Sequence, residues 1–216
     1  NLRTPISAIR VAAQALQSTE LIDSQRSRLR EAIIHETRRL GLRVDNVLET
    51  GRLEVETKAF SGSRLNWSML IGEAAHEAGL TIQSHGGKIE VAIDEGIALY
   101  GDRRALRLVL DNLFDNALKY SDEPPNLHIT LRKREEFSVF SLQDEGIGFE
   151  AGSQPELFKR FSRGDTGRHG TGLGLSLSQA IVQSHGGEVR LESKGHNQGA
   201  LVELWLPLAE EEEAIA

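Results

Sequence analysis

Two asparagines four residues apart, Asn112 and Asn116, lie in a segment whose apolar residues recur every three to four positions. This spacing predicts a helix from Asp102 to Tyr120 and places both amides on one face of it. Asparagine is a poor residue for a helix interior, because its amide competes for backbone hydrogen bonds. One interpretation is a pair of buried, hydrogen-bonded amides. The other is that their carbonyl oxygens help to hold Mg²⁺, which favours oxygen ligands and takes the others from water and nucleotide phosphates.

A carboxylate followed by two glycines is the second candidate. Asp144 follows a strand-like run and precedes Gly146 and Gly148. Such a carboxylate can accept a hydrogen bond from the amino group of adenine. The glycines let the backbone turn sharply and approach a flat ring, which a Cβ would obstruct. On its own, D-x-G-x-G is more often an ordinary glycine turn.

Three further glycines, Gly170, Gly172 and Gly174, precede or begin an apolar helical run that ends at Ser184. Unpaired backbone N–H groups at a helix start can bind a phosphate. The glycine spacing, and the lack of a strand directly in front of it, argue against a dinucleotide-binding Rossmann unit. Taken together and in this order, the three candidates predict one nucleotide pocket.

The same segments resemble the sequence boxes of the sensor histidine kinases of two-component signalling. The asparagine box is similar to DNLFDNALKYS (111–121), the first glycine box to DEGIGF (144–149), the phenylalanine box to FKRFSRGD (158–165) and the second glycine box to GTGLGL (170–175). The first residues, NLRTPISAIR, are similar to the phosphoacceptor box of that family. The resemblance runs from Leu2 to about Pro207, and its motifs occur in the family's order.

This resemblance implies ATP-dependent autophosphorylation on histidine, followed by transfer to an aspartate of a response-regulator receiver domain. It implies ATP and Mg²⁺ as cofactors, with Asn116 and Asn112 at the metal. The residues it places around the nucleotide are Asn112, Asn116, Lys119, Tyr120, Asp144, Gly146, Gly148, Gly170, Thr171, Gly172, Leu173 and Gly174. It also places Arg163, in a glycine-rich lid, at the γ-phosphate. A plain helix-end charge is the alternative interpretation of Lys119.

The start of the chain departs from the family pattern. Aligned on NLRTP, the phosphoacceptor histidine belongs just before Asn1, and Asn1 itself takes the usual position of an acidic base. Thr4 is four positions after the expected histidine, where the family associates a hydroxyl with dephosphorylation of the partner. A threonine that bonds back to a helix carbonyl is the alternative. His35 precedes an acidic residue but lacks the T-P, so we do not expect it to be the acceptor.

Residues 1–55 are expected to form a helical hairpin. A narrow apolar stripe, typical of a coiled-coil seam, runs along the first helix, and a second helix is predicted from about Ser24 to Glu54, after a turn near 19–23. The stripe consists of Leu2, Ile6, Ile9, Ala13 and Leu16. Two helices cannot enclose a core, so we expect the antiparallel hairpin to pair with a second copy as a homodimeric four-helix bundle.

Residues 63–208 alternate between strand and helix patterns, which predicts an α/β sandwich with one mixed sheet covered by helices on one face. The resemblance implies the Bergerat-type (GHKL) architecture. Predicted helices are Leu65–Ala78, Asp102–Tyr120 and Leu173–Ser184. Predicted strands are Lys88–Ile93, Ile97–Tyr100, Leu127–Lys133, Phe137–Gln143, Glu188–Glu192 and Ala200–Leu206.

Composition limits the remaining possibilities. The net charge of -7 and a pI near 5.6 disfavour a nucleic-acid partner. Cysteine is absent, which excludes disulfides and thiolate metal sites. No apolar run approaches the roughly 20 residues of a membrane span, so we expect a cytoplasmic location, with any membrane attachment through a sensor segment outside this chain.

Other functions share part of this pattern. A chaperone- or topoisomerase-type ATPase typically carries a catalytic glutamate at the position of Asn112, and an anti-sigma serine kinase lacks the hairpin and its L-R-T-P segment. A nucleotide-binding scaffold that signals through dimer geometry, or a sensor dominated by phosphatase activity, remains the alternative to an active kinase.

Overall fold

The structure, a computed structural model, describes residues 3–16, 24–37, 62–121, 124–159 and 172–209. The chain divides into two compact units, Asn1–Glu56 and Thr57–Ala216. Within the described residues, no helix is long and apolar enough to cross a membrane.

The first unit contains two helical segments. Helix α1 spans Arg3–Ala15, and residues 24–37 are helical as well (α2). Pro5 is buried, whereas Ile6, Val11 and Ile34 are exposed at 51%, 62% and 63% of their surface. The unit therefore presents large apolar side chains on its own surface. The predicted turn near 19–23, and the second helix beyond residue 37, lie outside the described residues.

The second unit contains seven strands and four helices in its described part. In chain order they are β1 Ser63–Asn66, α3 Trp67–Ser84, β2 Lys88–Ile93, β3 Ala98–Gly101, α4 Arg103–Tyr120, β4 Asn126–Arg134, β5 Phe137–Asp144, α5 Gln154–Leu157, α6 Gly174–Ser184, β6 Glu188–Glu192 and β7 Ala200–Pro207. Strand order in the main sheet is β2-β4-β5-β7-β6; β2 pairs parallel with β4 and the other pairs are antiparallel.

The prediction of an α/β sandwich with a mixed sheet is confirmed, but the assignment of every strand to that sheet was wrong. Strand β3 pairs with β1 as a separate antiparallel two-stranded sheet. The four residues of β1 contain a single buried apolar side chain, Leu65, so no alternation indicated a strand there. The predicted helix at Leu65 begins two residues later, at Trp67, because Leu65 and Asn66 belong to β1.

Side-chain caps fix the starts of the two long helices. The Asn66 side chain accepts a hydrogen bond from the backbone N–H of Met69 at 2.8 Å, and this bond caps α3. The carboxylate of Asp102 accepts from the N–H groups of Arg104 and Ala105 at 2.7 and 3.2 Å. Asp102 is therefore the cap of α4 rather than its first helical residue, and α4 begins at Arg103.

The core lies between one face of the main sheet and the helices. Trp67 and Phe140 meet edge to face, with ring centroids 6.5 Å apart. Fully buried leucines and isoleucines surround them, from α3 (Leu70, Ile71, Ile82), from α4 (Leu106, Leu110, Leu113) and from β4 (Leu127, Ile129, Leu131). The inward face of α4 thus combines core leucines with Asn112, which is only 8% exposed.

Candidate functional site

Helix α4 is the element on which the predicted site residues converge. Asn112 is buried and Asn116 half-buried on the same face of the helix. Lys119 and Tyr120 end the helix, where the Lys119 Nζ donates to the Tyr120 hydroxyl at 2.7 Å and lies 4.3 Å from the centroid of its ring. The helix thus carries the two amides near its middle and a cationic, aromatic pair at its carboxyl end.

The segment after β5 packs against the carboxyl end of α4. The N–H of Ile147 donates to the carbonyl of Tyr120 at 2.9 Å. At Gly146, a Cβ would lie 2.2 Å from that carbonyl oxygen. The expected reason for a glycine here is close approach of the backbone to a ligand ring. In the structure, the space that a Cβ would fill is taken by the backbone at the end of α4.

At Gly148, too, neighbouring backbone leaves no room for a side chain. The φ of Gly148 is +57°, and a Cβ there would lie 2.3 Å from the carbonyl oxygen of Gly195. The residues of the predicted D-x-G-x-G turn are therefore held by close contact with two other parts of the chain, α4 and the turn between β6 and β7.

Asp144 is the last residue of β5 and is only 7% exposed. Its Oδ1 accepts from the N–H of Gly146 at 2.9 Å and from the N–H of Ala200 at 3.1 Å. Burial raises the pKa of the Asp144 carboxyl above its ordinary value, and these two backbone donors offset part of that effect. Both hydrogen bonds within the described residues go to Oδ1, so the orientation of the carboxyl group is fixed while Oδ2 accepts from neither.

The turn between β6 and β7 was missed by the sequence analysis. Antiparallel pairing of β5 with β7 places Ala200 opposite Asp144. The Gly199 N–H donates to the Gly146 carbonyl at 3.0 Å, and the Ser193 Oγ accepts from Phe149 N–H at 3.2 Å and donates to the Gly199 carbonyl at 2.7 Å. A sequence signal did exist, because glycines and an asparagine separate two predicted strands at 195–199.

The start of α6 meets α4 at the buried amide. A Cβ built on Gly174, the first residue of α6, would lie 3.6 Å from the Asn112 Oδ1. Leu173 precedes the helix without a side-chain cap, and Gly172 has a φ of +68°. Gly172, Leu173 and Gly174 are all half-buried. The first turn of α6, which has no side-chain cap from Leu173, therefore begins beside Asn112.

Several predicted site residues cannot be placed. Asn1, Arg163, Gly170 and Thr171 lie outside the described residues, and Thr4 lies in α1 with a side chain outside them. In the described part, no group of three or more His, Asp and Glu side chains could hold a metal ion. The predicted residues that the structure does bring together are those of α4, of the segment 144–148 and of the start of α6.

Comparison with known proteins identifies the family of this chain. The family model described as histidine kinase-, DNA gyrase B-, and HSP90-like ATPase matches residues 101–210, more than half of the chain. The model of the His Kinase A (phospho-acceptor) domain matches residues 1–56. The first names a class of ATPases, and the second names the phospho-acceptor domain of its histidine kinase branch.

Individual relatives belong to that branch. The sensor protein KdpD of Clostridium acetobutylicum is 31% identical over 96% of this chain and 23% of its own length. The sensor histidine kinase WalK of Bacillus subtilis is 29% identical over 98% of this chain and 36% of its own. Full-length ShkA, solved in complex with AMPPNP, is 26% identical with a TM-score of 0.72 over 97% of this chain and 44% of that one. The chain therefore belongs to the sensor histidine kinases, and it spans less than half the length of these relatives.

The histidine kinase AdeS of Acinetobacter baumannii has a TM-score of 0.69 and covers 97% of this chain and 98% of that one. At 20% identity this likeness supports the fold alone.

Proposed function

We propose that this chain is the kinase core of a two-component sensor: it binds ATP in the α4 pocket and transfers the γ-phosphoryl group to a histidine imidazole on the helical unit. The observation that carries the proposal is the position of Asp144. It is a buried carboxylate that two backbone N–H groups hold in place, beside the helix that carries Asn112 and Asn116. We assign the helical unit to residues 1–55 and the ATP-binding domain to residues 63–208.

The adenine end of the pocket would be formed around Asp144. Because Oδ1 is occupied by Gly146 N–H and Ala200 N–H, Oδ2 is the oxygen suited to accept a hydrogen bond from the amino group of adenine. The match to an ATPase family and the AMPPNP complex of ShkA both support a nucleotide at this site.

The phosphate end would lie between α4 and α6. The carbonyl oxygens of Asn116 and Asn112 are the hard, neutral donors that suit Mg²⁺, and Mg²⁺ bound there would neutralise charge on the phosphates. Backbone N–H groups at the start of α6, where Leu173 provides no side-chain cap, would bind phosphate oxygens. We assign Lys119 and Tyr120 to the flank of the nucleotide. Gly170, Thr171 and Arg163 are assigned to the phosphates from the family resemblance.

The acceptor would be the imidazole of a histidine immediately before Asn1. A neutral imidazole nitrogen attacks the γ-phosphorus, the bond to the β,γ-bridging oxygen breaks and ADP leaves. A response-regulator aspartate would then receive the group, and Thr4 would contribute to its later removal. Because the matching relatives are sensor proteins, we place this core in the cytoplasm as part of a membrane-bound sensor.

A homodimer follows from the surface of the helical unit. Ile6 belongs to the predicted coiled-coil stripe and is 51% exposed, and Val11 and Ile34 are exposed further. Pairing of two hairpins would remove such side chains from water, at roughly 25 cal/mol per Å² of buried apolar surface. Sedimentation equilibrium should therefore give twice the mass of the chain.

Phosphoryl transfer is tested with two chains that differ only in one residue added before Asn1, histidine in one and alanine in the other. With γ-labelled ATP and Mg²⁺, the histidine chain should acquire acid-labile, base-stable label and the alanine chain none. Substitution Asn116→Ala should abolish the labelling and leave the dimer intact. Asp115→Ala, at the exposed neighbouring position of α4, is the matched control and should retain it.

The outcomes separate the alternatives. Calorimetric ATP binding without label in the histidine chain would favour a nucleotide-binding scaffold. Undiminished label in Asn116→Ala would remove the metal assignment, and absence of ATP binding in a well-folded chain would refute the proposal as a whole.

A further inference from the structure

His185 occupies the carboxyl end of α6, directly after its last helical residue, and is 8% exposed. Its Nδ1 lies 2.7 Å from the carbonyl oxygen of Ile181, and its Nε2 lies 3.1 Å from the backbone N of Asp102. A carbonyl oxygen only accepts and a backbone N–H only donates, so Nδ1 carries the proton and Nε2 is an acceptor. The imidazole is thus neutral and joins α6 to the residue that caps α4.

The Cδ2 and Nε2 atoms of the ring lie close to the chain just before α4. A Cβ built on Gly101 would lie 2.8 Å from the His185 Cδ2 and 2.9 Å from the Leu106 Cδ1. No side chain therefore separates the imidazole from the backbone that leads into Asp102. Asp102 in turn holds the first turn of α4 through its two cap hydrogen bonds.

The other end of α6 meets α4 at Asn112, where Gly174 begins the helix. Helix α6 is therefore fixed on α4 at two places. Its start lies beside the amide proposed for the metal, and its carboxyl end is tied through His185 to the cap of α4. Because α6 is a continuous helix, a shift at its carboxyl end is transmitted along its length to the N–H groups at its start.

We propose that His185 is a positioning residue, which sets the register of α6 along α4 and so places the start of α6 at the correct distance from Asn112 and Asn116 for the nucleotide phosphates. The proposal rests on the proposed ATP site. The position of α6 is attributed to the hydrogen bond from the Asp102 N–H to the His185 Nε2, and not to the capping of α6 by the His185 Nδ1–H.

Two substitutions separate these bonds. His185→Gln places an amide oxygen near the position of Nε2 and can still accept from the Asp102 N–H. His185→Asn has an amide near the position of Nδ1, so it can cap α6 but cannot reach Asp102. The chain offers a matched control in His85→Asn: His85 ends α3 in the same S-H-G-G sequence, its Nδ1 lies 2.9 Å from the carbonyl oxygen of Thr81, and its side chain is exposed.

The readout is the ratio of the affinities for MgATP and adenosine, measured by calorimetry on the full chain. Adenosine would contact the Asp144 end alone, so general loosening of the fold lowers both affinities, whereas a misplaced α6 start lowers only that for ATP. We expect His185→Asn to reduce the ratio about tenfold, the equivalent of one buried hydrogen bond. His185→Gln and His85→Asn should retain the wild-type ratio.

Gly101→Ala provides a second test that keeps the histidine. Its Cβ would displace the imidazole, so the ratio should fall as it does in His185→Asn. An unchanged ratio in both His185→Asn and Gly101→Ala, in chains that bind ATP, would overturn the positioning role, as would equal loss in His185→Gln and His185→Asn. Failure of the wild-type chain to bind ATP would instead refute the proposed function. If His185→Asn does not fold, Gly101→Ala decides the question.

Discussion

The contact at Gly146 allows a prediction whose sign and size follow from the structure. In Gly146→Ala, the new Cβ would lie 2.2 Å from the Tyr120 carbonyl oxygen, whereas real Cβ atoms essentially never approach closer than 3.0 Å. The segment must therefore move away from α4 by about 0.8 Å, the difference between these distances. Overpacking of this kind costs about 1–3 kcal/mol. Weakening of the Ile147 N–H bond to the same carbonyl, 2.9 Å long, adds about 1 kcal/mol.

The control is Gly72→Ala in α3, where a Cβ would meet nothing within 4 Å. That change should stabilise the fold by about 0.5–1 kcal/mol, because alanine loses less backbone entropy than glycine in a helix. Urea denaturation followed by tryptophan fluorescence suits both variants. The chain has two tryptophans, Trp67 and Trp205, and both lie in the second unit. The steric explanation would be refuted if Gly146→Ala had the urea midpoint of the wild-type chain. It would also be refuted if Gly72→Ala lost as much unfolding free energy as Gly146→Ala.

Three further results are expected. Asp144→Asn keeps an oxygen for the Gly146 N–H and removes a buried carboxylate whose pKa burial raises. Calorimetry should therefore show an ATP affinity reduced about tenfold or more, whereas urea denaturation should show no loss of stability. Burial lowers the pKa of His185 below its usual 6.5, and the Ile181 carbonyl and then the Asp102 carboxylate offset part of this effect, so the unfolded chain binds more protons. The contribution of neutral His185 to the free energy of unfolding should be fully present above about pH 6.5 and be lost as the pH falls below it. In His185→Gln, this part of the pH dependence of stability should disappear. Ser178→Ala removes a fully buried hydroxyl that has no hydrogen-bond partner among the described residues, so it should raise the free energy of unfolding by about 1 kcal/mol. The control Ser68→Ala removes hydrogen bonds to Asp94 and Ile97 and should lower the free energy of unfolding.

Hydrophobic periodicity was sufficient to place several elements of the second unit. Strands β2 and β6 begin and end where the sequence analysis placed them, and α4 begins one residue later because Asp102 is its cap. Helix α3 continues to Ser84, six residues beyond the predicted end at Ala78. The continuation includes Gly79, which reads as a helix breaker in sequence, but a Cβ there would lie 3.3 Å from the Ile89 Cγ2. Close packing of α3 on β2 therefore accounts for this glycine, and local propensity cannot reveal such a contact.

Prediction of the site was limited in a similar way. The sequence indicated a sharp glycine turn after Asp144, and the φ of +57° at Gly148 agrees with it, but the sequence did not reveal that other parts of the chain exclude a side chain there. Gly146 and Gly148 are required by neighbouring backbone, at Tyr120 and at Gly195. The contact of the Ala200 N–H with Asp144 could be inferred only from strand pairing, since β7 follows β5 by more than fifty residues in sequence.

The two S-H-G-G segments show what sequence leaves undetermined. Both end a helix with a histidine, and the glycine that follows has nearly the same conformation, with φ of +74° at Gly86 and +73° at Gly186. Local sequence therefore dictates the same helix end twice. Yet His85 is exposed, while His185 is buried against Gly101 and accepts from the Asp102 N–H. Because the local sequence is the same, the difference comes from tertiary structure, which places the carboxyl end of α6 against Gly101 and Asp102. The link between α6 and the start of α4 therefore uses a residue type that the sequence uses elsewhere as an ordinary helix cap.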